Sequence, residues 1–125
     1  MPHMLLMVEP VGQRSTRTVA EGEAAYAAMV RFGEDLQARG LLLASESLQS
    51  TANAVRVNIS GGRAHVLDGP FAEAKEMVGG FFLLATESRA EAVEIAKQCP
   101  AAQWLTVEVR GIGPCSDEAQ GSAQQ

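Results

Sequence analysis

Two uninterrupted apolar runs constrain the fold of this chain more than any other feature of its sequence. They are MLLMV at residues 4–8 and GGFFLLAT at residues 79–86, which is apolar up to its last position. A strand buried on both faces carries apolar side chains at successive positions, whereas a strand with one wet face alternates apolar and polar ones. Both runs are therefore predicted to be central strands of a single sheet.

Two helices are predicted between and after these runs. From Glu21 to Arg39 apolar residues recur at helical spacing, and Gly40 follows at the position that favours a left-handed helix end. Ser88 with Glu91 three residues later is typical of a helix start, and Pro100 ends that second helix.

The remaining strands include a hairpin. Residues 41–48 and 104–110 (LLLASESL and WLTVEVR) are predicted strands, and the second alternates as an edge strand should. Residues 54–60 alternate cleanly, and Gly61-Gly62 is a strong signal for a two-residue turn because both turn positions need a positive φ. Residues 63–68 are the returning strand, and residues 71–78 form either a helical turn or an ordered loop.

With the hairpin set aside, the order strand, helix, strand, strand, helix, strand predicts an α+β protein with a ferredoxin-like βαββαβ antiparallel sheet and an inserted β-hairpin. Two helices cover only one face of such a sheet, which leaves apolar side chains on the other. An open apolar face of that size is unusual in a monomer. We therefore expect a homodimer that packs sheet face against sheet face about a two-fold axis.

The length of 125 residues fits one domain, predicted at residues 1–110. Residues 111–125 are rich in Gly, Ser and Gln and are predicted to be a disordered tail. The net charge of -5 argues against direct contact with nucleic acid, which requires a basic surface. No cofactor or metal is expected, because the two cysteines and two histidines lack the spacing of a metal site.

Nothing at the start of the sequence predicts a membrane contact or secretion. The apolar run there is too short for a signal-peptide core or a membrane span, since Glu9 and Pro10 stop it. Two cysteines do not make a disulfide framework. A cytoplasmic location is therefore expected.

Asp68 is the principal candidate for chemistry. Counting from the turn pairs Val55 with Asp68, on the face of the hairpin predicted to point inward. One interpretation is structural: the carboxylate accepts the amide hydrogen of Phe71, Gly69 supplies a permissive φ and Pro70 fixes the bend. The other is that Asp68 also faces a pocket floored by the sheet, as a general base or a ligand contact. The two interpretations are compatible.

The charged residues around Asp68 have the same two interpretations. Glu73 and Lys75 are either a solvated surface or part of a site, in which Lys75 offers a positive charge to an anionic ligand. Glu46, near the end of the second strand, is a further candidate. We assign the tentative catalytic roles to Asp68 and Lys75, and ligand binding to Glu46, Phe71 and Glu73.

The run DGPFAEAKEMVGGFF, from Asp68 to Phe82, resembles the DGPF group of the YCII-related proteins. The resemblance extends over residues 3–110 and implies a fold of the dimeric α/β-barrel type. It also implies a transcription-linked role, because members of the group occur near or fused to sigma factors. More distant YCII-related proteins include a dehydrochlorinase with a His-Asp pair. The first helix of this chain, EAAYAAMVRF, lacks that histidine.

Two functional hypotheses follow. The first is a homodimeric module that binds a small ligand or acts as a transcription-linked regulator. The alternative is a small-molecule lyase or hydrolase that uses Asp68 as general base. The fold alone does not decide between these two hypotheses. The missing histidine favours the first.

Overall fold

The computed structural model describes residues 1–118. The strands and helices within them are β1 (His3–Pro10), α1 (Val19–Ala38), β2 (Leu42–Ser47), β3 (Val55–Ser60), β4 (Arg63–Asp68), β5 (Glu76–Leu84), α2 (Arg89–Gln98) and β6 (Thr106–Gly111). Short 3-10 helices lie at Arg14–Thr16, Thr51–Asn53, Pro100–Gln103 and Cys115–Glu118. Residues 119–125 of the predicted tail lie outside the described part of the chain.

The main sheet is antiparallel, with strand order β2-β5-β1-β6. The prediction that the two apolar runs form the central strands is confirmed, since β1 and β5 lie between β2 and β6. The α+β class and the likeness to a ferredoxin-like fold are confirmed with it. Strand β5 begins three residues earlier than predicted, so residues 76–78 belong to the sheet and not to the preceding turn.

Both helices begin at side-chain caps. Thr18 and Glu21 form a capping box, in which the Thr18 hydroxyl accepts from the Glu21 amide at 3.1 Å and the Thr18 amide donates to the Glu21 carboxylate at 2.8 Å. Helix α1 therefore begins two residues before the predicted Glu21. In α2 the Ser88 hydroxyl accepts from the Glu91 amide at 3.1 Å, as predicted. Gly40, at φ 72°, follows the end of α1.

The hydrophobic core lies between the two helices and one face of the sheet. Leu5, Leu36, Leu84 and Ile95 are its largest fully buried side chains. They come from β1, α1, β5 and α2 and belong to one cluster. Both helices therefore cover the same face of the sheet.

The opposite face of the sheet, here called the open face, carries a second set of apolar side chains. In β1 buried and half-buried residues alternate, and the half-buried ones point away from the helices. Registration with β5 places Met4 beside Leu83 and Leu6 beside Phe81. The open face is made of Met4, Leu6, Val8, Val78, Phe81 and Leu83.

Strands β3 and β4 form a separate two-stranded sheet, here called the arm (residues 55–68). The predicted pair of Val55 with Asp68 is present, and the register continues to Ser60 with Arg63 at the turn. Gly61 and Gly62 have φ values of 59° and 74°, as the predicted turn requires. The prediction of an inward face was wrong for the single chain: every residue of both strands is exposed, because the arm does not pack on the main sheet.

Candidate functional site

A cavity of about 730 Å³ lies between one side of α1, along residues 19–37, and the covered face of the sheet. Its walls come from α1, from the loop before α1, and from β1, β2 and β5, with Trp104 and Leu105 at one side. Tyr26, Met29, Val30, Phe82 and Trp104 give it an apolar and aromatic lining.

Different sides of α1 face the core and the cavity. Phe32 and Leu36 are buried, and the Phe32 ring packs edge-on against Phe82 at 5.2 Å between centroids. On a neighbouring side of the helix Tyr26 and Val30 line the cavity, and Tyr26 is 62% exposed. The predicted apolar stripe is therefore divided around the helix: Phe32 and Leu36 form core, and Tyr26 and Val30 border the cavity.

A buried acid at the end of β1 lines one part of the cavity. Glu9 is only 4% exposed, and its carboxylate accepts two hydrogen bonds from the Arg14 guanidinium. Arg14 Nε donates to Oε2 at 3.0 Å and Nη2 to Oε1 at 2.5 Å, which is the bidentate geometry preferred by this pair. Because a buried carboxylate is costly without a partner, the two hydrogen bonds from Arg14 compensate for the burial of Glu9.

Arg14 also holds the surrounding backbone together. Its Nη1 donates to the Leu48 carbonyl at 2.8 Å and its Nη2 approaches the Gly79 carbonyl at 3.4 Å. One side chain therefore links the loop before α1 to the ends of three strands. With most of its donors occupied in this way, Arg14 has little capacity left to bind a ligand.

Two glycines of β5 are required by close approach at this site. A Cβ added to Gly79 would lie 1.7 Å from Glu9 Oε1 and 2.7 Å from Arg14 Nη2. A Cβ added to Gly80 would lie 2.8 Å from the Glu46 carbonyl oxygen of the neighbouring strand. Only glycine leaves room for the carboxylate and guanidinium against the strand.

A second arginine at the cavity is placed differently. The guanidinium of Arg17 lies 5.8 Å from the centroid of the Trp104 ring and donates to the Gln13 side chain at 3.3 Å. No described residue forms an ion pair with Arg17 within 4.0 Å, so its charge faces the aromatic wall. The cation–aromatic contact fixes one rim of the cavity.

The structure separates the residues that the sequence predicted as one site. Glu46 borders the cavity. Asp68, Glu73 and Lys75 are exposed and do not line it. Phe71 is buried, with the Arg56 guanidinium 3.7 Å above its ring, so it packs under the base of the arm.

Asp68 itself ends β4 at an exposed position. Its carboxylate makes no hydrogen bond within residues 1–118, so the predicted acceptance from the Phe71 amide is absent. Gly69 is needed for space and not for an unusual φ, since a Cβ there would lie 2.0 Å from the Thr51 carbonyl oxygen. The Gly69 amide instead donates to the Ala54 carbonyl at 2.7 Å, which closes the base of the arm.

Sequence reasoning missed Glu9 and Arg14 as site residues. The signal for Glu9 was its parity, because it follows the buried Leu5 and Met7 at every second position of one strand. No comparable pattern identifies Arg14, whose position depends on the conformation of the loop before α1. Within residues 1–118 no group of three or more His, Cys, Asp or Glu side chains is arranged to hold a metal ion.

The comparisons with known proteins agree with the fold. The family model of the YCII-related domain matches residues 1–116 of the chain. A search of curated proteins gave no match. Among the described residues, no helix has the length and apolar character needed to span a membrane.

Proposed function

Because the chain belongs to the YCII-related family, we propose that it is a homodimeric module that binds a small ligand in the cavity between α1 and the sheet. One observation carries the proposal: a cavity of about 730 Å³ with aromatic walls and a buried Glu9–Arg14 pair at its base. Small-molecule sites typically have volumes of roughly 300–1,000 Å³, apolar walls and a few fixed polar groups.

The cavity offers a ligand a mixed environment. Tyr26, Met29 and Trp104 provide apolar area, and the side chains of Gln37 and Ser45 provide hydrogen-bonding groups on the wall. The family resemblance implies a transcription-linked regulatory module. In such a module, binding of a small ligand in this cavity would be the regulatory signal.

Native mass spectrometry of the purified protein tests this proposal, because it detects small molecules retained by the folded chain. Ala25 lines the cavity, whereas its neighbour Ala24 is exposed and does not. Ala25→Phe is expected to exclude the retained ligand and Ala24→Phe to keep it. Retention of the same molecule by both variants would contradict the assignment of the cavity.

The homodimer is proposed from the open face. Six apolar side chains lie there on the two central strands, and both helices are on the other side of the sheet. A second copy packed through a two-fold axis would cover both faces at once. Sedimentation equilibrium at micromolar concentration is expected to give twice the mass of the 13.2 kDa chain. A monomer under those conditions would contradict this part of the proposal.

The lyase or hydrolase alternative stays a prediction, and Asp68→Asn distinguishes it. If Asp68 is a surface residue of the turn, the substitution changes the free energy of unfolding by less than about 0.5 kcal/mol. The ligand found by mass spectrometry is then still bound and unchanged. If Asp68 is a general base, wild-type protein converts that ligand and the variant does so at least about 100-fold more slowly.

A further inference from the structure

Arg17 is a cation at the cavity whose charge no described residue pairs. Two arginines and three glutamates line the cavity, and one of each forms the Glu9–Arg14 pair. Among the described residues no acid forms an ion pair with Arg17 within 4.0 Å. Hydrogen bonds with Thr18 and, to a lesser degree, the charge of Arg17 lower the pKa of Glu21, but that carboxylate is held in the helix cap. Arg17 is therefore a half-buried positive charge that a ligand can neutralise.

Two contacts hold the Arg17 side chain in one orientation. Its guanidinium lies over the Trp104 ring, 5.8 Å from the centroid, and Nη2 donates to the Gln13 side-chain oxygen at 3.3 Å. Gln13 is fixed in turn, because its Nε2 donates to the Trp104 carbonyl at 2.7 Å. A ligand therefore meets a guanidinium that is already in position, which lowers the entropic cost of binding.

Most of the hydrogen-bonding capacity of Arg17 is unused. A guanidinium carries several N–H donors, and among the described residues the Arg17 side chain makes a single hydrogen bond. Arg14, by contrast, donates to Glu9, Leu48 and Gly79. A guanidinium that stacks on an aromatic ring keeps its N–H groups directed in its own plane, where a carboxylate binds through two parallel hydrogen bonds. Arg17 is therefore suited to bind one carboxylate.

The side of the cavity away from Arg17 is acidic. Glu46 lies on β2 and Trp104 lies next to β6, and these two edges of the sheet are about 14 Å apart at the usual strand spacing. Glu34 also lines the cavity, about 24 Å along the helix axis from the Thr18 cap. A second negative charge on the ligand would be repelled there. The lining therefore favours a ligand with one carboxylate over a dianion or polyanion.

We propose that the ligand of the cavity is a small organic acid with one carboxylate and an apolar, aromatic body. The carboxylate binds the Arg17 guanidinium, and the body packs against Tyr26 and Met29. This inference rests on the ligand-binding role proposed above and adds the chemical class of the ligand. The bound carboxylate supplies the counter-charge for Arg17 that the described part of the chain does not.

Titration with 3-phenylpropionate and with its neutral amide, 3-phenylpropionamide, tests the carboxylate site. Trp104 is the single tryptophan of the chain, so its fluorescence reports binding beside Arg17. The dissociation constant of the acid is expected to be at least about 10-fold lower than that of the amide. Arg17→Gln is expected to remove this difference. Arg31→Gln, which removes an exposed arginine of the same helix that does not line the cavity, should preserve it.

The comparison of acid and amide on the wild-type chain does not depend on the folding of any variant, and thermal melts check that the variants are folded. Equal binding of the two probes, both removed by Ala25→Phe, would overturn the carboxylate site and leave the cavity standing. A preference for the acid that survives Arg17→Gln, or no binding of either probe at about 10 mM, would also overturn this site. Binding of both probes that Ala25→Phe leaves unchanged would instead contradict the cavity itself, so the two failures are distinguishable.

Discussion

Strands β3 and β6 have nearly the same sequence pattern and opposite surroundings. β3 reads VRVNIS and β6 reads TVEVRG, each with valines at alternate positions. Val107 and Val109 of β6 pack against the core under the helices. Val55 and Val57 of β3 are 54% and 64% exposed. Alternation therefore shows that a strand has an apolar face, but not which element covers it.

The strongest test of this difference truncates one buried apolar side chain of the main sheet and one exposed apolar side chain of the arm. Leu84 is fully buried in the core, and truncation to alanine is expected to lower the free energy of unfolding by about 2–5 kcal/mol. Val57→Ala is expected to change it by less than about 0.5 kcal/mol at concentrations where the chain is monomeric. Urea denaturation at low protein concentration measures both. Equal losses would show that the arm packs on its own subunit.

A smaller effect is expected from crowding the Glu9–Arg14 pair. Gly79→Ala places a methyl group on the Glu9 carboxylate, so the pair must separate or the strand must move. We expect a loss of about 2 kcal/mol in the free energy of unfolding, below the range for fully buried pairs because Arg14 is partly exposed. Gly113→Ala, with no atom within 4 Å of the added Cβ, is the control and should be nearly neutral. A neutral Gly79→Ala would show that the close approach is readily relieved.

The smallest effect concerns the exposed cap of α1. Hydrogen bonds from the Thr18 amide and hydroxyl lower the pKa of Glu21 below its ordinary value of 4.5. Because the folded-state pKa is the lower one, the ionised carboxylate stabilises the fold above pH 4.5 and this contribution is lost as the pH falls through the lowered pKa. Glu21→Gln should reduce the pH dependence of unfolding below pH 4.5, as measured by thermal melts. An unchanged pH profile would show that the cap contributes little.

Much of the fold was predictable because its determinants are local. Two continuous apolar runs identified the central strands, and Gly61-Gly62 fixed the register of the arm through a turn that needs two positive φ values. The caps at Ser88 and Gly40 placed helix ends from nearby residues alone. In each case the residues that determine a strand, turn or helix end belong to that element or lie within a few positions of it.

The candidate site was less predictable because it depends on contacts between distant segments. The cavity depends on how one side of α1 is placed over the sheet, which no local pattern specifies. Arg14 reaches Glu9, Leu48 and Gly79, residues up to 65 positions away in the sequence. Asp68 belongs to a turn motif that local sequence identifies, but that turn lies at the base of an arm that does not border the cavity.

Strand β1 is a shared wall between the cavity and the open face. Met7 and Glu9 line the cavity. Leu6 and Val8, which alternate with them along the strand, lie on the open face. The proposed ligand binding and the proposed self-association therefore act on opposite sides of one strand, and any coupling between them is reciprocal. By reciprocity, any factor by which a bound molecule tightens or loosens the pairing of two copies is the factor by which pairing changes the affinity for that molecule.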